Sequence, residues 1–171
     1  MVKLLDDEAD FLIKQLKYSE AARIYLKRAE ASEDSVQKIG FYRKAAEAYH
    51  ELGSFDEEVA CMLRACHLVT GEAKIDCLVS VFRIYIVAIA VFQYDTGFEW
   101  KGEQENLHDG YDETIRGYYN KAVDVLKSAL AEDVNESRLL EKLRIECAKR
   151  RSEGGWGADH CWKAIEEAWR K

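Results

Sequence analysis

Proline is absent from all 171 residues. Because proline breaks helix interiors and stiffens loops, its absence permits long helices without requiring them. No C-x-x-C pair occurs, which removes the usual spacing of a zinc site. Neither G-x-G-x-x-G nor G-x-x-x-x-G-K is found, so phosphate-cradling glycine loops are missing too. The longest apolar run, Cys77 to Tyr94, is shorter than the ~20 residues a membrane span needs, and it carries Arg83. The opening residues, MVKLLDDEADF, are acidic and show no secretory signal. Five cysteines, an odd number without close pair spacing, read as reduced thiols, and with the missing signal they imply a cytoplasmic protein. A net charge of −7 argues against nonspecific nucleic-acid binding.

What is present is helical periodicity. A hydrophobic share of 48% with 33% charged residues fits a folded globular chain. The pattern predicts helices over 4–16, 19–32, 35–52, 55–69, 72–94, 111–132, 135–151 and 158–170. Residues 95–110, DTGFEWKGEQENLHDG, form the one long non-periodic stretch, and 152–157 form a flexible joint. The expected organisation is a helical-repeat domain over 1–152 followed by a C-terminal capping helix over 153–171.

Ile39 to Leu68 is the most informative segment. Ile39, Tyr42, Ala45, Ala46, Tyr49 and Leu52 recur at three- and four-residue steps, one face of a helix. Ala45 and Ala46 allow a second backbone to come close, and Tyr42 and Tyr49 fill the space above and below. Gly53 suits a helix C-terminus. Ser54 with Glu57 three residues later has the spacing of a capping box. The next helix carries Phe55, Val59, Met62, Cys66 and Val69 on one stripe.

On Tyr42, Ala46, Tyr49, Gly53, Phe55, Met62 and Ala65 the segment resembles a tetratricopeptide-type (TPR-like) repeat, in the broad sense that includes the SNAP-like adaptors of vesicle fusion. Glu58 stands where the repeat has a small residue, and Thr70-Gly71 stands where it ends in proline. Ala9 to Ala31 resembles a degenerate copy, with Tyr18, Ala21, Ala22 and Tyr25 matching and no glycine at its turn. The resemblance covers roughly the first 70 residues. It implies an all-α fold of antiparallel helical hairpins, stacked as a right-handed array of about eight helices. It also implies a non-catalytic adaptor or scaffold. In such repeats the first helix of each hairpin lines a concave groove, which places Arg43, Glu47, His50 and Glu51 there, facing an extended peptide or a partner helix.

The remaining features are weighed beside that reading. Cys77 to Tyr94 is apolar nearly all round, as a buried central helix would be, and Arg83 then needs a carboxylate partner or a route to water. Tyr111, Ile115, Tyr118, Ala122, Leu126 and Ala129 form the stripe of a sixth helix that suits packing on the fifth. Asp133 with Glu136 suits the cap of the seventh. That helix is basic through Arg138, Lys142, Arg144, Lys149, Arg150 and Arg151, with Glu136, Glu141 and Glu146 interleaved as intrahelical partners. In the last helix Trp162, Ile165 and Trp169 share one face. They either cap the stack or dock on a second copy of the chain. Phe98 and Trp100 in the long loop suggest a lid on the groove or an ordinary insertion, and Trp100 joins the candidate groove residues. Two E-x-x-H matches, Glu47 to His50 and Glu105 to His108, leave open a small all-α metal protein or enzyme. The favoured reading has no cofactor, no catalytic residue and no metal ligand. Its partner is a protein or peptide, with a homodimer as one form.

Overall fold

The computed structural model describes residues 2–95, 109–130 and 134–152. Within these the chain is all-α: α1 (Val2–Lys14), α2 (Tyr18–Ala31), α3 (Ser35–Glu51), α4 (Phe55–Cys66), α5 (Gly71–Asp95), α6 (Asp109–Leu130) and α7 (Glu136–Ser152). These agree with the first seven predicted spans to within a few residues. The eighth predicted helix and residues 96–108 lie outside the described residues, and so does the proposed domain boundary at 152/153. The chain divides into two compact units, Met1–Cys77 and Leu78–Lys171.

In the first unit α1 packs on α2, α2 on α3 and α3 on α4. Connections of three residues force each neighbour to run antiparallel, so the unit is a run of antiparallel helical hairpins. Small residues make the close approach possible. Ala9, Ala21, Ala45 and Ala46 are buried around Tyr25 and Cys61, with Leu12, Ile24, Phe41, Tyr49 and Met62 closing the edges. Arg28 is buried as well and lays its guanidinium 4.5 Å over the Phe41 ring.

Two turns share one backbone device. After α3, the Gly53 N–H donates to His50 O (2.9 Å) and the Ser54 N–H to Tyr49 O (3.0 Å). Gly53 takes φ 66°, the left-handed region that ends a helix in this way. After α1, the Leu16 N–H donates to Ile13 O and the Lys17 N–H to Leu12 O, both at 2.9 Å, with Leu16 at φ 60°. The degenerate copy thus keeps the turn of the clear one, with leucine where glycine belongs. The same offset maps Ala9 onto Ala46, Tyr18 onto Phe55 and Ala21 onto Glu58. Leu16 is exposed, so its side chain does little to offset a left-handed backbone. Leu16→Gly should therefore raise stability by roughly 1 kcal/mol, read as a higher urea midpoint with an unchanged slope.

The predicted Ser54–Glu57 capping box is not formed. Ser54 makes no side-chain cap bond, and its ψ of 70° departs from the extended backbone a capping serine uses. Its N–H is already committed to Tyr49. By contrast Asp34, which the sequence analysis passed over, caps α3 through Val36 N–H at 2.8 Å. At α7 Asn135 Oδ1 accepts from Arg138 N–H at 3.0 Å; Asp133 of the expected capping pair lies outside the described residues.

In the second unit the described part of α5 is buried on nearly every side: Leu78, Val81, Phe82, Tyr85, Ile86, Ala88 and Ile89 all are. Among the described residues no helix is long and apolar enough to cross a membrane. Tyr85 meets Tyr118 of α6 with ring centroids 6.2 Å apart, and Ala122 and Leu126 follow on the same α6 face. Leu139, Leu143 and Cys147 form the buried stripe of α7.

The partner that Arg83 requires is Glu146. Arg83 Nε donates to Oε1 at 2.7 Å and Nη2 to Oε2 at 3.0 Å, a bidentate pair, and Arg150 Nε adds a bond to Oε1 at 3.3 Å. Burial pushes the Glu146 carboxyl up, but the two guanidiniums outweigh it and hold it below its ordinary value. A depressed carboxylate contributes stability above its unfolded pKa, and that stability is lost as pH falls through the folded pKa. Glu146→Gln should cost about 1–2 kcal/mol at pH 7, since Arg83 keeps partial access to water. The deficit should shrink as the denaturation series is carried below the ordinary carboxyl range near 4.5.

Candidate partner-binding face on the third helix

Helix α3 turns two different sides outward and inward. Tyr42, Ala45, Ala46 and Ala48 are buried. Arg43, Glu47, His50 and Glu51, the four residues that the resemblance singles out, are exposed. At about 100° per residue Val36 and Gly40 fall on that same side. Both are exposed, Val36 at 77%. The strip therefore runs from an apolar end through an uncovered glycine to a charged end.

Among the described residues nothing requires glycine at position 40. It sits in the middle of a helix, and a Cβ built there meets nothing within 4 Å. Glycine in a helix interior is about 0.5–1 kcal/mol less favourable than alanine. The helix carries this penalty on its open side, where the residue leaves room for another backbone.

Beside the strip, Asp10 of α1, Tyr25 of α2 and Lys44 of α3 form a junction between helices. The Tyr25 hydroxyl donates to Asp10 Oδ1 at 2.6 Å, and Lys44 Nζ lies 3.8 Å from the same oxygen and 5.2 Å over the Tyr25 ring. Burial first, then Asp10 and Glu47, raise the Tyr25 hydroxyl pKa, so it stays a donor. This junction was missed by sequence reasoning. Its three members lie on three helices, and no spacing within one helix reports it.

His50 is held rather than free. Its Nδ1 meets Glu58 Oε2 at 3.1 Å across the α3–α4 hairpin, with the imidazole half exposed and the carboxylate nearly covered. This also accounts for Glu58 at a position where the repeat has a small residue: the side chain fills the site and finds a partner one turn back from the glycine. Burial raises the Glu58 carboxyl pKa, and His50 draws it back only in part. The sign is opposite to that of Glu146. Stability is fully present below the unfolded value near 4.5 and is lost as pH rises through the raised one. Glu58→Gln should therefore gain on the wild type as pH climbs from 4.5, a difference visible in melting temperature against pH.

Among the described residues no three histidine, cysteine or acidic side chains converge as a metal site would require. His108 and Glu105 of the second E-x-x-H match lie outside the described residues. So do Trp100, Trp162, Ile165 and Trp169.

The cysteines depart from expectation. Cys66 and Cys77 form a disulfide, with Cα atoms 5.6 Å apart, instead of two reduced thiols. No close spacing announces the pair, because the two lie on different helices and the α4–α5 connection brings them together. Cys61 and Cys147 are buried and lie outside this disulfide, and burial pushes the Cys61 thiol up to about 11. Cys161 lies outside the described residues.

No protein-family model matches the chain, and no curated protein does. The crystal structure of nearly identical TPR-like repeats from a kinesin light chain of Podosopora anserina is similar over 98% of this chain and 94% of that one, at 11% identity and a TM-score of 0.38. At those values the likeness carries no argument about partners or activity.

Proposed function

We propose that the chain is a non-catalytic helical-repeat adaptor that binds a peptide or partner helix along the exposed strip of α3, Val36-Gly40-Arg43-Glu47-His50-Glu51. The uncovered Gly40 carries this reading. A helix that gives up alanine's stability on this face gains no contact from the described residues, whereas a docking backbone gains close approach. Val36 offers that partner an apolar anchor, and Arg43, Glu47 and Glu51 offer it hydrogen bonds and charge. The hairpins behind the strip hold it rigid, because Tyr42, Ala45 and Ala46 are locked in the core.

Substitution at Gly40 separates fold from binding. Gly40→Ala should raise stability by about 0.5–1 kcal/mol in urea denaturation. Gly40→Trp should keep the helical circular dichroism yet abolish the capture of whatever specific protein the wild-type chain retains. An identical set of proteins captured by both would contradict the reading. So would stoichiometric metal in the purified chain that is lost in His50→Ala.

A further inference from the structure

Cys66 and Cys77 join two helices across a solvent-facing turn. Cys66 is the last residue of α4, and Cys77 lies two turns into α5. Each residue is 2% exposed. The residues between them are open instead: His67, Leu68, Thr70, Gly71, Glu72 and Ala73 are exposed, and Gly71 holds φ 59°. The turn closes with Leu68 N–H to Ala65 O at 3.1 Å and a longer last bond, Val69 N–H to Cys66 O at 3.4 Å. One sulfur therefore sits at a helix end, where fraying of a single turn uncovers it, while its partner is anchored inside a helix.

We propose that Cys66 and Cys77 form a thiol-redox clasp that fixes the start of α5 against the end of α4 when oxidised and frees that turn when reduced. Oxidation proceeds by exchange with a small-molecule disulfide. One cysteine thiolate attacks it, releases one thiol and forms a mixed disulfide. The second cysteine then attacks that bond, releases the second thiol and completes the cross-link. The two cysteine protons leave with the two released thiols, and a dithiol reverses both steps. Cys61 does not compete, because its thiol sits mid-helix in the core and burial disfavours its thiolate.

The full-length chain provides the test. Trypsin cuts after Arg64, Lys74 and Arg83, which places Cys66 on 65–74, Cys77 on 75–83 and Cys61 on neither. After equilibration with glutathione disulfide, the non-reduced digest should contain 65–74 bonded to 75–83. Alkylation should then count two fewer thiols than in dithiothreitol. The melting temperature should fall on reduction, on the order of 5–10 °C for a loop this short in a chain this size. Cys66→Ala should melt at the same temperature in both buffers. Five free thiols under glutathione disulfide, a cross-link between other peptides, or a cross-link without a change in melting would each overturn the proposal. None of these outcomes bears on Gly40, so this inference and the adaptor reading succeed or fail separately.

Discussion

Tyr25→Ala is expected to destabilise the chain by about 3–5 kcal/mol, more than any other single substitution considered. Tyr25 is 3% exposed, and among the described residues its ring is the one large side chain buried in the cluster of Ala9, Ala21, Ala45, Ala46 and Cys61. Methyl-sized neighbours on α1, α2 and α3 have nothing of their own with which to refill the volume, so the cavity should persist. Tyr25→Phe isolates the hydroxyl. It keeps the ring and loses the bond to half-exposed Asp10, about 1 kcal/mol. Urea denaturation of both variants gives the comparison. If the alanine variant were no less stable than the phenylalanine one, the ring would not be the centre of this unit.

Ala46→Leu applies the opposite stress at the same place. Ala46 is 3% exposed on the face that α3 turns to its neighbours. Three added carbons must be fitted among buried neighbours, and helices that approach through alanine must then separate or force side chains off their rotamers. The expected loss is about 1–3 kcal/mol. Ala60→Leu on the exposed side of α4 serves as the control, since extra volume there meets solvent. Equal denaturation midpoints for the two leucine variants would mean that α3 does not make a close helix contact at Ala46.

Both expectations grow from residues that were legible in the sequence. The alternation of alanine and tyrosine at helical spacing, with glycine at position 53, was enough to place the α3–α4 hairpin. Arg43, Glu47, His50 and Glu51 were singled out by the resemblance to a helical repeat, and all four are exposed on α3. What the sequence hid depends on relations between helices. Leu16 adopts the glycine-like turn because the hairpin geometry imposes it, against the preference of leucine itself. Arg83 advertised a missing carboxylate, but many acids could have supplied it, and only the folded second unit brings Glu146 to it. Glu58 read as a misfit at a small-residue position, and its pairing with His50 appears only once α4 folds back on α3. The Ser54 box failed for a local reason, since the turn that ends α3 had already used the serine's backbone.

The central claim is that residues 39–52 and 55–66 fold back on each other, leaving the far side of α3 open. A double-mutant cycle on His50 and Glu58 tests it most directly. Alanine at each position and at both, measured by urea denaturation at pH 6, gives their coupling energy. In one continuous helix these two residues would be about 12 Å apart, too far for direct contact. The hairpin places them at 3.1 Å and predicts a coupling of about 0.5–1 kcal/mol, modest because the imidazole is half exposed. Strictly additive losses would contradict the hairpin register, and with it the strip of α3 on which the proposed function depends.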